Sequence, residues 1–404
     1  MTVTTPPPKR GRGRPKKERV PRRSRAQSPF LPTAKQLQAM PPSTPLRQAL
    51  LALPEVPATI TGDLDLADLP VRLPGLRIEL TRQQASEAAD VLKALCKYEI
   101  RPYANNSRRS IRADWRHWVA FCVAQDRVAI PIAFPDLKDF LDALIKAGYK
   151  RATLEHLLFT LKLASQLWSC PSPVDNIVFR GYWREICRDH LVKIQHQAAS
   201  MNLEDLDEIV NASNPDDPRS LRDSAFAAVA YDLMARSSEM VAMRWDMVDF
   251  DSDPEHGGAI YKMIHSKTDQ EGKGTMLYLT PPTVELLNAW KAHSFKENPF
   301  VFHALPRYTE QKMDRTRPLS VREAARIFER LVGRIGHAKP LSGHSARVGG
   351  AQDMTRAGMD LPAIMQAGRW KTPSMPARYA AKEIASRAGK GRQNALAKLR
   401  KPLV

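Results

Sequence analysis

From Thr81 to about residue 195, apolar side chains recur at three- and four-residue intervals, the period of amphipathic helices. Thr81 suits an N-cap for a helix through about Tyr98, with Ala88, Val91, Leu92 and Leu95 along one side. A second helix, about Ser107 to Gln125, sets Ile111, Trp115, Trp118 and Cys122 in one stripe. Arg108, Arg112 and Arg116 form another stripe displaced by one residue, ~100° around that helix. Three arginines four apart repel one another by a few tenths of a kcal/mol per pair, so a phosphate partner makes sense of them. Phe134-Pro135 begins a third helix that Gly148 ends. Thr153 can cap a fourth that Pro171 and Pro173 break, and a fifth spans about 175–192. The pattern predicts an all-helical domain over 81–195.

A joint near 195–201 leads to a short helix carrying Leu203, Leu206, Ile209 and Val210, then a longer one at about 220–235. The period changes over 258–280. The runs Ala259-Ile260-Tyr261 and Met276-Leu277-Tyr278-Leu279 flank a charged, Gly-bearing stretch, which predicts a hairpin. Helical spacing returns at 283–293, 320–335, 343–357 and 361–367, and again after Pro373. A mostly helical second domain with one small antiparallel sheet is expected over 201–385. The fold class is mainly α. Residues 28 to about 80 are Pro-rich and read as linker with short local structure, and 386–404 read as a basic tail.

A chain of 404 residues accommodates two such domains. Its net charge of +19 is concentrated at the ends. Residues 1–25 hold ten Lys/Arg against one Glu, and 380–404 hold seven against one. Basic ends on a nearly balanced body suit a protein that grips a polyanion, although solubility alone would also be served. Four cysteines without CxxC spacing point away from a disulfide framework or thiolate metal site. No run reaches the ~18 apolar residues of a spanning helix, and no apolar segment opens the chain, so neither membrane integration nor secretion is expected. Within the first tail, Arg12-Gly13-Arg14-Pro15 resembles the centre of the AT-hook family of minor-groove binders. Arg12 and Arg14 would follow the narrow groove, and a non-specific DNA tether fits the same residues.

Five separated signals carry chemistry: Arg236-Ser237-Ser238-Glu239 closing a helix, Ser266-Lys267-Thr268 in the hairpin, Ser342-Gly343-His344-Ser345-Ala346-Arg347 starting a helix, Gly368-Arg369-Trp370, and Tyr379 nine residues after that tryptophan. Attack on a phosphodiester adds a second negative charge to its non-bridging oxygens. Guanidiniums grip such oxygens with paired N–H donors that an ammonium cannot hold as rigidly. His344 and Arg347, three apart on one helix, would face the same phosphate.

In this order and at these distances the signals resemble the tyrosine recombinase (phage integrase) family, particularly its Cre-like members, over about 105–385. The runs from Leu341 to Gly349 and from Ile364 to Gly368 carry the likeness to that subgroup. The resemblance implies a helical, SAM-like core-binding domain followed by a catalytic domain. It also implies site-specific strand cleavage and rejoining through a covalent 3′-phosphotyrosyl link. Tyr379 would be the nucleophile. Arg236, Arg347 and His344 would act on the phosphate, and Trp370 would reach a non-bridging oxygen. Lys267 would protonate the departing 5′ oxygen, a role also open to Lys262 and Lys273. Glu239 would orient Arg236 or the histidine. Arg108, Arg112 and Arg116 would touch the DNA backbone.

Neither metal nor other cofactor is called for, since the arginines supply positive charge and the covalent link conserves bond energy. The implied partner is double-stranded DNA with inverted half-sites, bound by a homodimer and paired in a homotetramer, with room for accessory DNA-bending proteins. A cytoplasmic, nucleoid-associated protein would follow. Type IB topoisomerase-like relaxation, or a catalytically inactive DNA-binding protein, are the alternatives. One residue departs from the resemblance. Arg369 stands where Cre-like chains commonly have a small or neutral residue, and it could either contact phosphate or face solvent.

Overall fold

The computed structural model describes residues 28–52, 76–97, 103–191, 197–264, 274–306 and 315–397. The chain divides into two compact units, Met1–Ile194 and Gln195–Val404.

The first unit is helical. Its helices are α1 (Ala34–Ala39), α2 (Pro45–Ala52), α3 (Arg82–Lys97), α4 (Asn105–Gln125), α5 (Phe134–Lys146), α6 (Arg151–Leu167) and α7 (Ile177–Asp189). Two short strands, β1 (Arg77–Ile78) and β2 (Val128–Ile130), pair in parallel. The apolar stripe of α4 goes inward: Trp118 and Cys122 are fully buried, and the Trp118 indole N–H donates to the Ala129 carbonyl at 3.0 Å. Around Trp118 the rings of Phe121 and Phe140 pack at 5.4 and 5.2 Å, geometry that adds to plain area burial. Arg108, Arg112 and Arg116 are half-buried on the adjoining face. Thr81 caps α3, its hydroxyl accepting the Gln84 backbone N–H. The α6 cap is Lys150 rather than Thr153, which lies inside the first turn with its N–H on the Lys150 carbonyl.

The linker reading of 28–80 needs correction for residues 28–52. Leu37, Leu46 and Leu50 of α1 and α2 join the first unit's core, with Leu50 only 2% exposed. Leu46 and Leu50 are four apart, so even a two-turn helix can seat an apolar edge on α4 despite the surrounding prolines. Residues 1–27, including Arg12 and Arg14, and 53–75 lie outside the described residues.

The second unit contains α8 (Leu203–Asn211), α9 (Pro218–Asp232), α10 (Ser237–Val241), α11 (Pro281–His293), α12 (Val321–Ile335), α13 (Ser345–Arg356), α14 (Leu361–Gly368), α15 (Ser374–Tyr379) and α16 (Ala381–Ala397). Strands β3 (Val248–Asp253), β4 (Gly258–Met263) and β5 (Thr275–Leu279) form an antiparallel sheet in that order. The expected hairpin is β4–β5, paired from Ala259–Leu279 to Met263–Thr275. The sheet gains β3, an edge strand in which three aspartates alternate with Val248, Phe250 and Ser252.

Helix α9 is the axis of this unit. Its run from Ser220 to Ala230 is buried throughout, which small alanines permit on a helix packed from several sides. Helix α13 is seated by Gly349: a Cβ there would stand 1.7 Å from the Met201 carbonyl oxygen. Residues 386–397, expected as tail, continue α16, whose Ala-rich composition favours helix even with no residue buried. Among the described residues no helix is long and apolar enough to cross a membrane.

Candidate active site

Helices α9, α10 and α13 and the turn after α14 meet at one point. Leu233 and Met234 end α9 with carbonyls that lack helical partners, and Met234 takes the left-handed conformation (φ 44°). Arg236 then acts as N-cap of α10, so it opens a helix rather than closing one. The Glu239 carboxylate reaches back to accept the Arg236 backbone N–H at 2.9 Å, the carboxylate half of a capping box. The same carboxylate takes the Arg236 guanidinium at 2.6 Å, with the Glu239 side chain 3% exposed and that of Arg236 19% exposed.

His344 caps α13 at the exposed lip of the site, and Arg347, in the first turn, is buried at 2% exposure. The Arg347 guanidinium donates to the Met234 carbonyl and, at 2.8 Å, to that of Gly368. It lies over the Trp370 ring at 4.8 Å, a cation–π contact. Among the described residues no carboxylate pairs with it. Burial, reinforced by the charges of Arg236 and Arg369, lowers its pKa to about 10, which leaves it cationic at neutral pH. Trp370 can approach only because residue 368 is glycine: a Cβ there would come within 2.0 Å of the indole.

Tyr379 ends α15 with 9% of its surface exposed. Its ring meets Trp370 edge to face at 5.8 Å. The Tyr379 carbonyl accepts the side-chain amides of Gln197 and Gln352, both at 3.1 Å, which anchors the end of that short helix.

Residues 199–385 match the phage integrase family. They form a phage integrase domain. The chain is similar to the recombinase Cre of Escherichia phage P1, 27% identical over 278 residues that span 65% of this chain and 80% of that protein. Among solved structures, the Tn1549 transposon integrase in complex with transposon right end DNA gives a TM-score of 0.51 at 14% identity, covering 75% of this chain and 98% of that one. That likeness concerns the fold. A lambda integrase dimer bound to a COC′ core site gives 0.47 at 16% identity, covering 75% of this chain and 78% of that one. The family match thus covers the second unit of the chain, from residue 199 to residue 385.

Within this integrase domain, Arg347, Trp370 and Tyr379 are in contact in that order, Arg236 pairs with Glu239, and Arg369 joins the two groups through Glu239 and the Met234 carbonyl, with His344 three residues ahead of Arg347. Lys267 and Lys273 lie outside the described residues. Lys262 is exposed on β4 beside that segment. Among the described residues no group of three or more His, Cys, Asp or Glu could hold a metal ion.

Arg369 corrects the solvent-facing reading of the sequence. It is 9% exposed, and its guanidinium donates to the Leu233 carbonyl at 2.7 Å and to Glu239 at 2.9 Å. Its backbone is left-handed (φ 54°), which costs a non-glycine residue roughly 1–2 kcal/mol. The sequence signal for this position was the arginine itself, a long cation between a glycine and a tryptophan.

Proposed function

We propose that the chain cuts and rejoins double-stranded DNA through a 3′-phosphotyrosyl link, with Tyr379 as nucleophile. One observation supports this most: Trp370 packs against both the Tyr379 ring and Arg347, a buried cation with no carboxylate partner among the described residues. A scissile phosphate entering beside that wall would meet a phenol to attack it and a charge to balance it.

As the Tyr379 oxygen bonds to phosphorus, the P–O5′ bond breaks. The phenolic proton departs with help from His344, and Lys267 protonates the leaving 5′ oxygen. Arg347 and Arg236 bind the non-bridging oxygens, whose charge rises by one in the transition state. The Trp370 N–H supplies a further donor, and Glu239 keeps Arg236 in place. Rejoining runs the steps in reverse with a new 5′ hydroxyl. The arginines of α4 and the basic ends, with Arg12 and Arg14 in the first of them, would contribute phosphate contacts. Two protomers would occupy inverted half-sites and four would assemble when two sites meet.

The test is incubation with a nicked DNA half-site, followed by peptide mapping of the covalent product. Attachment at Tyr379, and loss of product in Tyr379→Phe with DNA binding retained, is the expected result. Attachment at another residue overturns the assignment.

A further inference from the structure

We infer that Arg369 is a positioning residue of the cleavage site: it shares Glu239 with Arg236 and ties the Gly368–Trp370 turn to the end of α9. This inference rests on the reading of the site given above.

Three contacts carry it. The Nη2 of Arg369 meets Glu239 Oε2 at 2.9 Å, while the Arg236 guanidinium holds Oε1 of the same carboxylate. Its Nη1 meets the Leu233 carbonyl at 2.7 Å, and Nη2 approaches the Met234 carbonyl at 3.4 Å. The Met234 carbonyl is also a partner of Arg347. Arg369 therefore touches the partner of each of the two arginines proposed to grip the phosphate, and its own side chain is buried. Two features set it apart from an ordinary packed arginine. Its φ is positive, and its Nε is buried without a hydrogen-bond partner. Local strain and an unpaired buried donor persist where surrounding contacts hold them, commonly at functional sites.

Charge gives the arrangement a purpose. With Arg236 alone on Glu239, the carboxylate would largely cancel that arginine. Arg369 on the other oxygen gives the Arg236–Glu239–Arg369 group two positive charges against one negative, so it keeps a net positive charge beside Arg347. A phosphodiester carries one negative charge in the ground state and approaches two in the transition state. The added positive charge therefore attracts the transition state more than the bound substrate, which is the condition for accelerating the chemical step. Removing Arg369 should slow cleavage much more than it weakens DNA binding.

The experiment uses the full chain and a nicked half-site in single-turnover cleavage. Arg369→Gly also relieves the positive φ, so the fold should survive. We expect binding within about threefold of wild type and cleavage slower by about thirtyfold or more, a size in keeping with loss of one aligned charge in a buried site. Arg369→Lys should recover part of the rate and Arg369→Gln should not. The decisive comparison replaces one non-bridging oxygen of the scissile phosphate by methyl, which removes one negative charge. On that neutral substrate the deficit of Arg369→Gly and Arg369→Gln should shrink to within about threefold of wild type. An equal deficit on both substrates would make Arg369 a packing residue and overturn the inference, as would near-wild-type cleavage by both variants. If Arg369→Gly fails to fold, Arg369→Gln and Arg369→Lys carry the same comparison. Failure of the underlying reading looks different: the wild type itself would form no adduct at Tyr379.

Discussion

The guanidinium of Arg347 stands 4.8 Å from the centre of the Trp370 ring, and the far side of the contact chain is the Tyr379 ring. Trp370 thus spaces the proposed phosphate clamp from the proposed nucleophile. A cation–π contact of this kind contributes about 0.5–2 kcal/mol. Trp370→Ala should lower both unfolding stability and cleavage. Trp370→Phe should restore most of the stability and leave a cleavage deficit from the lost indole N–H. Denaturant unfolding and half-site cleavage on the same samples check this; full cleavage by Trp370→Phe would remove the N–H from the mechanism.

Lys267→Ala should cleave ordinary DNA slowly. Replacing the bridging 5′ oxygen by sulfur should restore much of the rate, because a thiolate leaves without a proton from a general acid. Lys262→Ala and Lys273→Ala should show no such selective rescue. A rescue pattern that follows Lys273 instead would move the role to that residue.

Glu239 lies below the ordinary carboxylate range. Burial alone pushes it up, but the Arg236 backbone N–H and the charges of Arg369 and Arg236 more than reverse that. A carboxylate with a depressed folded pKa contributes stability that is present above its unfolded pKa, about 4.3, and lost as pH falls through the folded value. The stability advantage of the wild type over Glu239→Gln should be full near pH 7 and shrink below about pH 4.3. Denaturant titrations at several pH values measure it; a constant gap would mean that the Glu239 charge is not what holds this corner.

Gly349→Ala should destabilise the integrase domain by roughly 1–3 kcal/mol, the usual cost of forcing atoms into a packed site. The added methyl would sit 1.7 Å from the Met201 carbonyl oxygen, and backbone cannot swing aside as a side chain can. Gly333→Ala, where a Cβ meets nothing within 4 Å, is the control and should be neutral or stabilising. Equal midpoints for the two variants would show that α13 can shift away from Met201.

Much of this protein was legible from spacing alone. The stripe of Ile111, Trp115, Trp118 and Cys122 settled which face of α4 is buried, and Gly148 marked the end of α5. Helix period and turn chemistry act over a few residues, so they can be read along the chain. The residue types of Arg236, His344, Arg347, Trp370 and Tyr379 likewise carry the proposal of phosphate chemistry, because charge and nucleophilicity belong to the side chain itself. What no local pattern could decide was partnership across the fold. The residue Arg369 meets at Glu239 is 130 positions away, and the one it meets at Leu233 is 136. The prolines around α1 and α2 hid a docking edge that exists only against the folded core, and the six residues of β3 become a strand by pairing with β4. A guanidinium reaches in any direction its burial allows, so its partners are set by which helix ends the tertiary structure brings within about 3 Å.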